Sequence, residues 1–456
     1  MEISSAISII SFGIIVALWV LMVTFTLVPF LLGLSYPMKS DVNLSFITTP
    51  LVGMSLITSV LWLGTGLIYP IVRNKVINHQ QQLILISRFV NLYKSGIRQS
   101  PRVSIIVPAR NEENVIRKTV LNCLQQTYNN FEVIVVCHNC NDRTYQNAQV
   151  IDDNNRVRVF ELNTAEAGKG IALNYAIDRS TGEYICILDS DGRLDEDFIK
   201  NALPLFSEGY AAIQGKIMPS NRKYNLLTNL LGLESDLYGI PFCTVRNVID
   251  KRVPLGGTGL IIRKEILVKV GKFSKSLVDD FELSFRLYRK KFRIAFAPLS
   301  IVYDEKPPRF DMMLKQRSRW IKGHLDLLGQ RVPERKDIMG TIYWLSPIFT
   351  IAGLLSIGIA SFAIIYFMFA GHYPYTFSYM PIRVWLIFSL TTFILHISFL
   401  RYELETKNFK NVLYVALLFL FGHYWFVVMI KAFFVKSWAN TKTVHGFVVP
   451  EIKSTS

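Results

Sequence analysis

Three groups of side chains in this chain have types and spacings that could do chemistry together. Asp189 and Asp191 stand two residues apart in Asp189-Ser190-Asp191, straight after the apolar run Tyr184 to Leu188. Two carboxylates at a strand end can share one hard divalent cation, Mg2+ or Mn2+, which takes few protein ligands and completes its shell with phosphate oxygens. Such an ion neutralises a diphosphate as it leaves. A solvated strand-to-loop cap would use the same two residues. Asp279 and Asp280 open DDFELSFRLYRK, where Leu283 and Leu287, with Arg286, Arg289 and Lys290, predict an amphipathic helix. Acids at a helix start favour its dipole, and a carboxylate there can also act as a general base. Gln316, Arg319 and Trp320 fall at i, i+3 and i+4 of a basic amphipathic segment, on one face. Arginine forks onto phosphate oxygens, and tryptophan offers a flat apolar plate to a sugar ring. An interfacial helix with a Trp anchor and snorkelling cations would carry the same residues.

The elements that must position these groups are legible as hydrophobic runs. Between about residues 85 and 335, the β-rich stretches Val103 to Val107, Phe131 to Val136, Val157 to Phe160 and Tyr184 to Leu188 alternate with helical ones. That alternation predicts an α/β domain with a mostly parallel sheet and helices on both faces. Its ligands should sit off the carboxyl ends of the strands.

Long apolar runs flank this domain. Ala6 to Leu34 and Phe46 to Val72 carry no charge, and Gly340 to Ala370, Pro381 to Leu400 and Val412 to Val435 follow it. Each is long enough to span a bilayer. The N-terminus has Glu2 and no basic start, so the first run reads as an uncleaved anchor. Arg73, Lys75, Arg88, Lys94, Arg98 and Arg102 after the second run put the α/β domain in the cytosol. Counting spans places the tail after Val435 outside. Of 456 residues, 51% are hydrophobic and only 18% charged, which suits a membrane protein. The net charge of +16 suits an anionic substrate or leaflet, and the membrane segments argue against nucleic acid. Five cysteines, an odd number with no disulfide-like framework, read as reduced.

A D-x-D, a second Asp and a Q-x-x-R-W, in that order and between membrane spans, resemble the processive family-2 glycosyltransferases. These are the membrane synthases of cellulose, chitin, hyaluronan and poly-N-acetylglucosamine. Further pieces fit the resemblance. Val103 to Glu113 (VSIIVPARNEE) looks like the family's first strand and P-A-x-N-E turn, which makes Ala109 and Glu113 candidates for the nucleotide pocket. Gly168-Lys169-Gly170 before an A-L-N helix is similar to the family's Lys-rich turn near the donor diphosphate. Gly256 to Arg263 resembles a glycine-rich strand on the acceptor side, which nominates Gly257 and Thr258. Val278-Asp279-Asp280 stands where the family reads T-E-D. By that register Asp280 is the base, with Asp279 beside the acceptor. Trp438, Thr441 and Lys442 resemble a W-x-x-T-K/R gating segment, which the resemblance places inside. The second strand departs from the pattern: Cys137-His138-Asn139-Cys140-Asn141-Asp142 keeps only the last Asp. That leaves Asn139, Asp142 or Glu113 to meet the base. Cys137-x-x-Cys140 invites a zinc or redox reading, but no second Cys pair follows.

The resemblance implies a GT-A domain, a doubly wound mixed α/β sheet, joined to a transmembrane bundle. The organisation expected is two spans over 1–80, the GT-A domain over 81–308, amphipathic interface helices over 309–338, spans over 339–435 and a gating tail over 436–456. It implies a nucleotide-sugar donor, a UDP-sugar, with Mg2+ or Mn2+ on Asp189 and Asp191. Gln316 and Arg319 would steady the diphosphate, and Trp320 the acceptor. The expected enzyme is a multi-pass plasma-membrane protein that inverts C1, extends a polysaccharide and exports it. Two rivals stay open: a non-processive transferase acting on a lipid, like ceramide glucosyltransferases, and a non-enzymatic membrane scaffold that kept the fold.

Overall fold

The computed structural model describes residues 45–93 and 100–328, apart from 154, and scattered positions between 341 and 435. The chain separates into two compact units, and the sheet lies in the one containing Ile68–Glu334. The helix Trp425–Ala432 belongs to the other. Among the described residues, no helix is long and apolar enough to cross a membrane. The spans expected over Ala6 to Leu34 and Pro381 to Leu400, and the tail with Trp438, Thr441 and Lys442, lie outside the described residues. So does most of the sequence between Gly340 and Val435.

Eight strands form one sheet in the order β3-β2-β1-β4-β7-β6-β8-β5. They are β1 (Val103–Ala109), β2 (Phe131–His138), β3 (Val157–Leu162), β4 (Tyr184–Ile187), β5 (Arg193–Leu194), β6 (Ala212–Pro219), β7 (Leu260–Arg263) and β8 (Ile294–Asp304). β3, β2, β1 and β4 run parallel, and so do β6 and β8. β7 is antiparallel to both β4 and β6, and β5 is antiparallel to β8. The sheet is therefore mixed.

Burial explains the composition of each strand. β2 (FEVIVVCH) is buried along its whole length, as expected of a strand covered on both faces. β3 lies at an edge, and there Val157 and Val159 alternate with exposed or half-buried residues. The other edge, β5, is two residues long, which leaves little unpaired backbone. Glu132 is one of several charges buried in the domain. Glu132 on β2 accepts hydrogen bonds from Ser104 Oγ (2.6 Å), Thr181 N–H (2.6 Å) and Arg158 Nη2 (2.6 Å).

Within the unit that holds the sheet, Gln80 of the helix Ser45–Tyr93 ties two segments together. Its Oε1 accepts from Leu299 N–H at 2.9 Å and its Nε2 donates to the Asn201 carbonyl at 3.0 Å. The helices Leu226–Glu234 and Ile240–Ile249 are joined by a π turn over Ser235–Gly239. Pro241 follows it. A proline lacks an N–H and crowds the carbonyl four residues back, and a local widening relieves both.

Candidate active site

Lys169 organises the site. It begins the helix Lys169–Arg179, and its Nζ reaches Asp189 Oδ1 at 2.5 Å and donates to the Gly257 carbonyl at 2.9 Å. Burial works to lower its pKa, but the carboxylates of Asp189, Asp279 and Asp280 outweigh burial and raise it. Asp189 leaves β4, and its own N–H donates to Thr258 Oγ1 at 3.1 Å. Thr258 is buried, so its hydroxyl holds the Asp189 backbone from below. Asp191 is half-buried on the same turn.

The second carboxylate group arrives from the far end of the domain. Asp279 and Asp280 open the helix Asp279–Arg289. The absence of a side chain at Gly257 leaves room for Asp280 and Lys169 beside it. A Cβ on that residue would stand 2.7 Å from Asp280 Oδ2 and 3.6 Å from Lys169 Nζ. Asp280 Oδ1 accepts from Phe281 N–H at 2.8 Å. Burial raises the Asp280 pKa, with Lys169 opposing. Asp279 is more constrained: burial pushes its pKa up to about 7, and its Oδ2 is buried without a hydrogen-bond partner.

Gln316, Arg319 and Trp320 lie in the helix Phe310–Leu328. The Arg319 guanidinium donates to the Leu277 carbonyl at 3.4 Å. Burial lowers its pKa, while Asp279, Asp280 and Asp189 push it back up. The arginine thus senses all three acids. Trp320 is half-buried, with the Arg317 guanidinium 4.7 Å from its ring centre, and Arg317 is also paired with Glu234 at 2.5 Å. Gln316 is half-buried on the same helix. A cavity of about 310 Å³ opens between these elements, lined in part by Lys169, Gly170, Lys275, Asp279, Lys322 and Asp326.

The expected nucleotide residues gather at the tips of β1 and β2. Ala109 is the buried last residue of β1. Glu113 accepts from Arg143 N–H at 3.1 Å, and its own N–H donates to Asp142 Oδ2 at 3.3 Å. Asp142 also accepts from Thr144 N–H at 3.0 Å. Asn139, at φ 51°, uses its whole amide on the following loop. Nδ2 donates to the carbonyls of Thr164 (2.9 Å) and Glu166 (3.3 Å), and Oδ1 accepts from Thr164 N–H (2.8 Å). Of these side chains, Glu113 and Asp142 keep acceptor capacity, whereas Asn139 shapes the loop. A hydrogen bond between the two thiols holds Cys140 down to about 7 and pushes Cys137 up. Both thiols are free, and among the described residues no group of three or more His, Cys, Asp or Glu could hold a metal.

The family profile described as glycosyltransferase like family 2 matches residues 101–323. Residues 101–323 are a family-2 glycosyltransferase domain. The mixed sheet is GT-A-like, and the chain is a glycosyltransferase. It is 27% identical over 364 residues to the probable glycosyltransferase YdaM of Bacillus subtilis, across 76% of this chain and 86% of the relative. It is 31% identical to a beta-monoglucosyldiacylglycerol synthase of Nostoc, across 51% of each chain. It is 25% identical to a poly-beta-1,6-N-acetyl-D-glucosamine synthase of Staphylococcus aureus, across 50% of this chain and 55% of that one. The glycosyltransferase therefore spans only about half the length of the last two.

A divalent ion fits the glycosyltransferase at Asp189-Ser190-Asp191. Asp189 and Asp191 stand two residues apart in the turn after β4, one Asp189 oxygen facing Lys169, and a diphosphate would supply the remaining ligands. Motif reasoning missed three residues that the fold brings to the site. His324 packs against Phe281 with ring centres 4.3 Å apart and the rings tilted, and burial lowers its pKa while Asp280 opposes. Its signal was present in the four-residue steps 316, 320 and 324, which share a helix face. Asn174, the last residue of the A-L-N stretch, enters through its side-chain amide on the loop before Asp279. Leu277 enters through its carbonyl, and a backbone partner of this kind leaves no mark on residue type.

Proposed function

We propose that this glycosyltransferase moves a sugar from a UDP-sugar to an acceptor hydroxyl with inversion at C1, forming a β-linkage on a growing polysaccharide. The observation that carries the reading is the junction of Asp189 and Asp280 through Lys169 and Gly257, since each acid serves one end of the reaction. Asp280 takes the acceptor hydroxyl's proton, the oxygen bonds to C1, and the C1–O bond to the diphosphate breaks. A carboxylate raised by burial is a stronger base than one in water. Arg319 and Lys169 meet the charge that develops on the diphosphate. Asp189 and Asp191 would hold Mg2+ or Mn2+, which supplies charge neutralisation of the leaving group. Glu113 and Asp142 face the nucleotide base. Gly257 lets the acceptor approach, Gln316 steadies the diphosphate, and Trp320 and Asp279 contact the acceptor.

In this reading the apolar runs anchor the enzyme in the plasma membrane, contact its lipids and pass the product outward. The transferase domain faces the cytosol, and Trp438, Thr441 and Lys442 close over bound donor. A lipid acceptor is the second reading, favoured by the 31% identity to a relative named as a glucosyldiacylglycerol synthase. Purified full-length chain in lipid, given a panel of UDP-sugars with Mn2+, tests both. UDP release followed by sizing of the product separates a polymer from a single glycosylated lipid. No release from any UDP-sugar would refute the donor assignment.

A further inference from the structure

One helix touches both halves of the site. Lys169, its first residue, holds Asp189, while a stripe at four-residue steps holds the loop that delivers Asp279 and Asp280. Gly170 starts the stripe: any Cβ there would collide with the Ser274 carbonyl oxygen. Asn174 is next. Its Nδ2 donates to the Phe273 carbonyl at 2.9 Å, and its Oδ1 accepts from Phe273 N–H at 3.0 Å. Asp178 ends the stripe, paired with Lys272. Beyond the stripe the loop is braced in two steps. Ser274 Oγ accepts from Ser276 N–H at 3.3 Å, and Ser276 Oγ accepts from Val278 N–H at 3.2 Å. Asp279 and Asp280 follow directly.

We propose that Asn174 is a positioning residue for glycosyl transfer: by clamping residue 273 to the helix that carries Lys169, it fixes the base Asp280 relative to Asp189. An amide suits this task because it offers a donor and an acceptor side by side, matching the N–H and C=O of one residue. The surface-exposed Lys272–Asp178 pair contributes little by comparison. Asn174 touches neither substrate. Its effect reaches the reaction only through the loop, and the proposal rests on the transfer reading above.

The test compares Asn174→Ala with Gln126→Ala in the full-length enzyme. Gln126 is also a buried amide bridging backbone groups, to the Asp195 carbonyl (2.6 Å) and Ile199 N–H (3.3 Å). It lies in the loop before β2, and its hydrogen bonds go to residues 123, 195 and 199, none of them in the 273–280 loop. Asn174→Ala should lower kcat about 100-fold, the scale of a misplaced reacting group, with the donor KM within about threefold of the parent. The acid limb of its kcat–pH profile should move, because Asp280 then sits in altered surroundings. Amide hydrogen exchange over residues 273–280 should speed up without substrate. Gln126→Ala should lower the melting temperature and leave kcat, the pH profile and that exchange as in the parent. Asn174→Ala with parental kcat and parental exchange would overturn the clamp, as would changes that Gln126→Ala reproduces. Turnover by the parent judges the transfer reading separately. If the parent is inactive on every UDP-sugar, the exchange measurement still decides whether Asn174 holds the loop.

Discussion

The Lys169 ammonium lies 2.5 Å from Asp189 Oδ1, and the carboxylates of Asp279 and Asp280 also act on it. Arg319 feels the same three acids, so removing any one of these charges unbalances the others. Lys169→Met should weaken donor binding and slow transfer, by about 10- to 100-fold in kcat/KM for a charge-assisted hydrogen bond. Steady-state UDP release against donor concentration measures this. An unchanged kcat/KM would leave Lys169 a structural cation only.

Gly257 tests how tightly the acceptor side is built. It sits at φ +75°, and an alanine Cβ would stand 2.7 Å from Asp280 Oδ2. Gly257→Ala should cost ~1–2 kcal/mol of stability from the left-handed backbone alone. It should also displace the Asp280 carboxylate and lower kcat about 100-fold. Thermal melts and initial rates separate the two effects.

The pH dependence of stability should report on Asp279. Its folded-state pKa of about 7 lies above the ordinary 3.8. Between those values the folded chain binds more protons than the unfolded chain, so this group's contribution to stability declines as pH rises. Asp279→Asn should therefore match the parent near pH 4 and become progressively more stable than it up to about pH 8. Melting temperatures at four pH values give the curve. A gap that stays constant with pH would contradict a raised Asp279.

Glu132 separates fold from function. It is 1% exposed and lies at the start of β2, far along the strand from the tip that carries Asn139. Glu132→Ala leaves Arg158 without its carboxylate and should cost about 3 to 5 kcal/mol. The folded fraction should keep the parental kcat. Denaturant melts paired with rates normalised to folded enzyme check this.

Much of the donor half of the fold was legible in the sequence. β1, β2 and β4 announced themselves as mainly apolar runs because both their faces are covered, and the edge strand β3 by its alternation; each expected strand matches an observed one to within about two residues at its ends. The acceptor half was harder to read. β6 carries Gly215 and Lys216 at a register shift against β8, and β8 is broken by Pro298, so neither strand shows a clean period. The reversed direction of β7 was invisible, since a strand's residues do not encode which way it runs. Among the candidate site residues, Asp189, Asp280 and Arg319 were singled out by type and order, and the fold brings their charges together. Thr258 was expected at the acceptor, but its hydroxyl instead holds the Asp189 N–H, a role that only the fold reveals. Asn139 likewise was expected at the base, and its amide is spent on residues 164 and 166.

The most direct measurement is the rate of UDP release by Asp280→Asn, set beside its affinity for the UDP-sugar. Asparagine keeps the size and the hydrogen bond to Phe281 N–H but cannot take a proton. The rate should fall by about 10² to 10⁴-fold with donor affinity nearly unchanged. Parental turnover by Asp280→Asn would show that the proton leaves by another route, and Asp280 would lose its role as the base.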